Sequence, residues 1–354
     1  MKRRTLLKSS GALAAFALQA CAAQPVPTSA KVVVIGGGYG GATAAKYLRV
    51  LSGNTIDVTL IEPDAAFVSC PLSNLVIGGS LSMGDVTRSY AALGTRHGVK
   101  IVGDVVTKID TTAKRAATAR GGEFAYDKLI VSPGVDFRFE EVEGLAAAHE
   151  SGDVLHAWKS GPEALELRKR LEAMPDGGVF AITIPEVPYR CPPAPYERAC
   201  QVAWYLQRAK PRSKLLVLDA NPEPASKAAL FRDLWAKQYK GLIEYRAQQT
   251  LTSVDAKTRT LSFEVQDDVK ADILNVIPPQ RAGRIATQTG LANQAANRWV
   301  GVDFRTFEST AAKDVFVIGD SIQIAAGMPK SGHMANSHAK VAAAAIVAQL
   351  AGKE

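Results

Sequence analysis

The stretch KVVVIGGGYGGATAAKYLRVL, Lys31 to Leu51, decides the fold. Lys31 to Ile35 is a run of β-branched residues, the pattern of a strand buried on both faces. Gly41 to Leu51 is rich in alanine and leucine and reads as a helix. Between them Gly36, Gly38 and Gly41 spell G-x-G-x-x-G. In a strand–turn–helix the first glycine permits the tight turn, the second lets backbone approach a pyrophosphate, and the third lets helix pack on strand. The bare N–H groups of the helix N-terminus then face the phosphates. The next β-type run, Ile56 to Ile61, ends at Glu62, where a carboxylate accepts the ribose hydroxyls of an adenosine. A glycine pattern alone is weak. With strand, helix and acid in this order it predicts a dinucleotide site.

Outward from this unit the chain keeps alternating short β-type runs with helical stretches, so the fold class is α/β with parallel strands. Leu129 to Ser132 reads as a strand running into Pro133-Gly134, and Arg120-Gly121-Gly122-Glu123 as a hairpin turn. A second cycle follows, with helices at Gly161–Met174, Pro195–Ala209 and Ser226–Lys240 and strands at Gly178–Thr183 and Lys214–Leu218. Val315 to Ile318 is a last strand ending at Gly319-Asp320, before an alanine-rich helix from Ala335 to Leu350. Ser132-Pro133-Gly134 and Gly319-Asp320 stand where two-dinucleotide-domain flavoproteins bring a turn and an acid to the flavin and its ribityl chain. They favour FAD over NAD for the first site, with Gly134 and Asp320 among its ligands. The second cycle has the form of an NAD(P)H domain, but its turn is Ile184-Pro185-Glu186-Val187-Pro188-Tyr189-Arg190-Cys191-Pro192-Pro193-Ala194-Pro195. Prolines donate no N–H and bulky side chains keep a pyrophosphate away. The expected architecture is a two-dinucleotide-binding-domain flavoprotein. A Rossmann-like FAD domain (residues 31–145 and 284–354) is interrupted by a degenerate NAD-like domain (146–283), and residues 1–30 are a twin-arginine signal peptide.

The chain has 354 residues, 47% hydrophobic and 21% charged, a soluble globular balance. Its formal charge of +8 includes Lys2, Arg3, Arg4 and Lys8; beyond them 38 basic residues face 34 acidic ones, too small an excess to argue for nucleic acid. Arg3-Arg4-Thr5-Leu6-Leu7-Lys8 followed by the apolar stretch Gly11–Ala20 is a twin-arginine export pattern. Those ten residues fall short of the roughly 20 that span a bilayer, so no transmembrane span is expected. Ala20-Cys21-Ala22 fits a cleavage site, while Leu18-Gln19-Ala20-Cys21 resembles a lipobox that would anchor the chain through Cys21. Export predicts a periplasmic protein. Cys70, Cys191 and Cys200 remain, an odd number, so at least one is free, modified or paired elsewhere. With no Cys-x-x-Cys-His the chain carries no c-type haem, and no metal ligand is assigned.

The stretches SCPLSNLVIGG, YDKLIVSPG, YRCPPAPYERA, NVIPPQRAG and IGD followed by MPKSGHMANSHAKVAAAAI, with the glycine turn, resemble the flavoprotein subunit of flavocytochrome c sulfide dehydrogenase over nearly all of residues 31–354. A more distant resemblance is to sulfide:quinone reductases, pyridine nucleotide-disulfide oxidoreductase-like flavoproteins of the same fold. The resemblance implies that Cys70 carries FAD through an 8α thioether, that Cys191 is a redox cysteine above the flavin, and that Glu197 is a base. A carboxylate near a thiol suits sulfide, which must lose a proton as it reacts. On residues alone the alternatives are a small buried side chain at Cys70 and, at Glu197, a favourable charge at a helix N-terminus.

Family members continue beyond the closing helix into an interface segment carrying the second redox cysteine, and this sequence ends at Glu354 without it. Cys200 stands where the family commonly has a small non-thiol residue. It lies more than a turn inside its helix, roughly 7 Å along the axis from Pro195 at about 1.5 Å per residue, so no bond to Cys191 is expected. Three functions follow: oxidation of sulfide or related sulfur species with electrons passed to a c-type cytochrome subunit, a sulfide:quinone reductase-like activity, or a non-catalytic flavin-binding partner of a sulfur-oxidising complex.

Overall fold

The computed structural model describes residues 29–353; Arg3-Arg4, the apolar stretch and Cys21 lie outside the described residues. The chain runs β1 (Lys31–Ile35), α1 (Tyr39–Leu51), β2 (Asp57–Ile61), α2 (Ser73–Gly78), β3 (Lys100–Val102) and β4 (Lys128–Val131). It then makes α3 (Pro162–Ala173), β5 (Val179–Ile184), α4 (Ala194–Ala209), β6 (Lys214–Asp219), α5 (Ala228–Gln238), β7 (Ile243–Arg246) and β8 (Ile273–Val276). It returns through β9 (Val315–Val317) to α6 (Gly332–Leu350).

Two parallel sheets result. The first has the order β9-β4-β1-β2-β3 and the second β7-β6-β5-β8. Register in the first sheet places the site. Ile35 pairs with both Ile61 and Val131, and Val131 with Val317, so four strands end level. The residues that follow them, Gly36, Glu62, Ser132 and Ile318-Gly319-Asp320, therefore come out along one edge. That carboxyl edge is where open α/β sheets bind ligands.

Alternation of small and large side chains sets the layers. Ala44 and Ala45 of α1 face Ala339, Ala342 and Ala343 of α6, all fully buried, and the lack of bulk lets the helices close over the sheet. The second sheet has its own core of Phe180, Ile182, Leu215 and Val217 against Leu167, Val202 and Leu206. The chain crosses between the sheets twice, and the crossing segments Val135–Phe137 and Gln280–Ala282 pair antiparallel. Both crossings thus leave at one place. Among the described residues no helix is long and apolar enough to cross a membrane.

Arg198 of α4 ties the two bodies together. It is 1% exposed and donates to Asn74 Oδ1 of α2 (3.0 Å), the carbonyls of His156 (2.8 Å) and Ala157 (2.6 Å), and Asn275 Oδ1 of β8 (2.9 Å). Burial lowers its pKa to about 10, so it stays charged at neutral pH. Arg198→Met keeps much of the volume but removes the donor from Asn74 Oδ1, Asn275 Oδ1 and the Ala157 carbonyl, leaving the His156 carbonyl with Asn275 Nδ2 alone. It is expected to destabilise the fold by about 3 kcal/mol or more, measurable as a lower denaturant midpoint at unchanged slope.

Candidate flavin and sulfur site

A cavity of about 700 Å³ opens along the carboxyl edge of the first sheet. One part of its wall is the glycine turn. Gly36 has φ +93°, and a Cβ there would lie 2.3 Å from the Ser132 carbonyl. A Cβ on Gly41 would lie 1.7 Å from the Gly36 carbonyl, so this glycine packs helix on strand behind the cavity. Gly38 has open space around its Cα and caps α1 with no side-chain acceptor, which leaves the first N–H groups free. Glu62 Oε2 accepts the Gly37 N–H at 2.5 Å and Oε1 the Asp64 N–H at 3.0 Å, fixing the carboxylate at the rim.

The other part of the wall gathers Cys70, Pro133, Gly134, Lys159, Arg190, Cys191 and Asp320, with Gly332 and Ala335 of the α6 N-terminus. Gly319, at φ +77°, turns Asp320 into the cavity, where Oδ1 is buried with no hydrogen-bond partner. Burial raises the pKa of this carboxyl, against Arg190 and Lys330. An orphaned acceptor in a cavity asks for a hydroxyl donor. An elongated cradle of glycines, two helix N-termini and that acceptor fits FAD: pyrophosphate at α1, adenosine ribose at Glu62, ribityl hydroxyls at Asp320.

Cys70 Sγ donates to the Trp158 carbonyl at 3.1 Å, and Arg190 donates to the same oxygen. Cys191 sits at φ +59°, a strained conformation for a non-glycine residue, and its N–H donates to the Lys330 carbonyl at 2.7 Å. Burial pushes the Cys191 thiol up to about 12, helped by the nearby negative charges of Cys70, Glu197 and Asp320 and opposed by Arg190. The resting group is therefore a thiol. Glu197 stands in the first turn of α4, outside the cavity wall; partial burial raises its carboxyl pKa, opposed by Lys227. Cys70, Cys191 and Cys200 are all unbonded, and Cys200 accepts the Trp235 indole N–H at 3.3 Å in the second core.

The cavity thus brings together Gly36, Gly38, Glu62, Cys70, Gly134, Cys191 and Asp320, with Gly41 behind the wall and Glu197 beside it. Lys159, Trp158 and Lys330 gave no sequence signal, because each acts through loops that only the fold joins. Arg190 lies in the proline-rich turn, and that turn is what carries Arg190 and Cys191 to the cavity wall. A further group, His149, His156 and Glu163, places three potential ligand atoms within 4.8 Å of one another. His156 Nδ1 already accepts the Trp158 N–H at 2.8 Å, and Glu163 accepts the His156 N–H at 2.8 Å, so the cluster braces the Trp158 loop.

In the second sheet Asp219 ends β6, the place where a dinucleotide domain presents its ribose-binding acid. Here it is fully buried and accepts from Tyr196 (2.7 Å), Tyr245 (3.0 Å) and Asn221 (2.7 Å). The two phenols and the Asn221 amide take up this carboxylate, so it is not free to meet a ribose at the end of β6. Anaerobic addition of NADH or NADPH at micromolar concentration is expected to leave the flavin spectrum unchanged; rapid bleaching would overturn this reading.

Fold and site define a flavoprotein with two dinucleotide-type domains, of which the first fits FAD. A pyridine nucleotide-disulphide oxidoreductase model matches residues 30–169, and the model of the central part of the sulfide dehydrogenase [flavocytochrome c] flavoprotein chain matches residues 164–278. The chain is 63% identical over 46 residues to the sulfide dehydrogenase [flavocytochrome c] flavoprotein chain of Chlorobaculum thiosulfatiphilum, covering 13% of this chain and 94% of that sequence. It belongs to this flavocytochrome c sulfide dehydrogenase flavoprotein family. It is also 28% identical over 301 residues to a mitochondrial sulfide:quinone oxidoreductase of Dictyostelium discoideum, covering 82% of this chain and 65% of that protein's length. The sulfide:quinone oxidoreductase structure from Aquifex aeolicus superposes with a TM-score of 0.77 at 22% identity, over 91% of this chain and 77% of that one.

Proposed function

We propose that this chain is the flavin-bearing part of a periplasmic sulfide dehydrogenase, oxidising sulfide or a related reduced sulfur species and passing electrons to a c-type cytochrome subunit. The observation that supports it most directly is the meeting of two thiols, Cys70 and Cys191, with Asp320 and Arg190 at one end of a dinucleotide cradle.

When bound, the flavin supplies a two-electron acceptor that a one-electron carrier such as haem can reoxidise. The protein's part is to hold sulfur. Arg190 and Lys159 supply positive charge at this wall and favour an anion such as HS⁻. The Cys191 thiol and HS⁻ would join in an S–S bond to give the persulfide Cys–S–SH, releasing one proton and two electrons, for which a bound flavin would be the acceptor. Cys191 stays protonated at neutral pH, so a base is required, and Glu197, which with Asp320 is one of two carboxylates whose charge reaches the thiol, is proposed for that role. Cys70 is proposed to fix the flavin covalently.

A second reading, reduction of quinone, draws on the likeness to sulfide:quinone oxidoreductases. Turnover of sulfide with cytochrome c, and separately with a soluble quinone, decides between them. Activity with cytochrome c alone supports the first reading; activity with quinone alone replaces it; activity with neither leaves a flavin-binding subunit without catalysis.

A further inference from the structure

Lys330 is 2% exposed, and among the described residues its ammonium donates to backbone carbonyls and not to a carboxylate. Nζ donates to the carbonyls of Asp320 (2.9 Å) and Ile322 (2.6 Å), and lies 3.5 Å from the centroid of the buried Trp299 ring. Its two carbonyl partners bracket the turn that carries Asp320 into the cavity. Its own carbonyl accepts the N–H of Cys191, the residue held at positive φ. One residue, through its side chain to one loop and its main-chain carbonyl to the other, thus joins the segments that present the orphaned carboxylate and the thiol, while taking no part in the cavity wall itself.

We propose that Lys330 is the positioning residue of the flavin site, holding Asp320 to the cofactor with its ammonium and Cys191 in place through its carbonyl. This rests on the reading of the cavity as the FAD site. A lysine serves where an apolar residue of the same length would not, because its ammonium donates to both carbonyls and an apolar side chain donates to neither. The indole face of Trp299 accommodates the third side of the ammonium.

Burial lowers the Lys330 pKa to about 7, against the pull of Asp320 and with Arg298 adding to the fall. The cage is thus charged below pH 7 and loses its charge above. Of the other groups facing it, His338 has its pKa lowered by burial to about 4, and burial also lowers the Arg298 pKa. Asp320 works in the opposite sense, since it gains acceptor strength as pH rises. A fall in FAD affinity through pH 7 is therefore the mark of Lys330.

The test uses the full chain with Cys70→Ser, so that flavin is exchangeable, and reads FAD binding by quenching of flavin fluorescence between pH 6 and 9. Affinity is expected to fall by about tenfold across pH 7, and Cys70→Ser/Lys330→Met to be weak and pH-independent, by at least that factor. Unfolding by circular dichroism accompanies both. A double variant that binds FAD as tightly as the parent overturns the proposal. If Lys330→Met fails to fold, the parent alone decides, because pH-independent affinity overturns it equally. A parent that binds no FAD at any pH overturns the reading of the cavity itself.

Discussion

Cys191→Ser is expected to lower sulfide turnover by at least about 100-fold while leaving the flavin content unchanged. Serine has nearly the same shape and keeps the N–H that donates to Lys330, so the loop keeps its anchor. What is lost is the sulfur. An oxygen cannot hold sulfide in a persulfide, so the step that gathers two electrons next to the flavin has no carrier. Anaerobic reduction with sulfide followed at the flavin band, and steady-state assay with cytochrome c, check this. Full turnover by the serine variant would mean that the role drawn from the family does not hold here. The thiol itself offers an independent readout. With its pKa pushed to about 12 by burial, it ionises only above neutral pH, so alkylation should be slow at pH 8 and accelerate steeply toward pH 11. Cys200, also raised by burial, shares part of that profile and must be replaced first.

Cys70→Ser should change flavin from fixed to releasable. Cys70 lines the cavity with its Sγ held by the Trp158 carbonyl. The proposed thioether would replace the Cys70 S–H and one C–H of the flavin 8α methyl, releasing two protons, with the two electrons reducing the attached ring until an acceptor reoxidises it. Acid denaturation of the unsubstituted protein should then leave yellow colour with the polypeptide. In the variant it should appear in the supernatant, while native binding persists through Gly36, Gly38, Gly41 and Glu62. Free FAD from the unsubstituted protein, with an unmodified Cys70 peptide by mass spectrometry, would remove the covalent link.

The first sheet was legible because its signals are local. The run Lys31–Ile35 and the glycines after it force strand, turn and helix within twenty residues, and α1 differs from expectation only by starting at Tyr39. The helices expected at Gly161–Met174, Pro195–Ala209 and Ser226–Lys240 run Pro162–Ala173, Ala194–Ala209 and Ala228–Gln238, and the hairpin at Gly121-Gly122 falls between its strands. Closing helix α6 begins three residues earlier than its alanines suggest, because Ser331 caps it by accepting the Met334 N–H. What stayed hidden depends on distant pairs. Nothing in the sequence says that Arg198 reaches Asn74, or that Tyr245 meets Asp219. Lys330 was in view within MPKSGHM and still carried no message, since its meaning lies in carbonyls that its own loop curls around and in a ring thirty residues upstream.

The level ends of β1, β2, β4 and β9 also dictate an order of events in making the protein. Gly36 and Asp320 belong to one cofactor site, yet the whole second sheet is written between them. A nascent chain presents the glycine turn early and cannot complete its pocket until β9 has docked beside β4 and α6 has settled on α1. Such distant pairings are slow to form, because closing a long intervening segment costs entropy before contacts reward it. FAD is then captured by a finished chain rather than by an emerging one, and a partly made chain exposes the apolar flank of β4 where β9 belongs. Flavin supply during expression should accordingly govern the yield of native protein more through the last folding step than through the first.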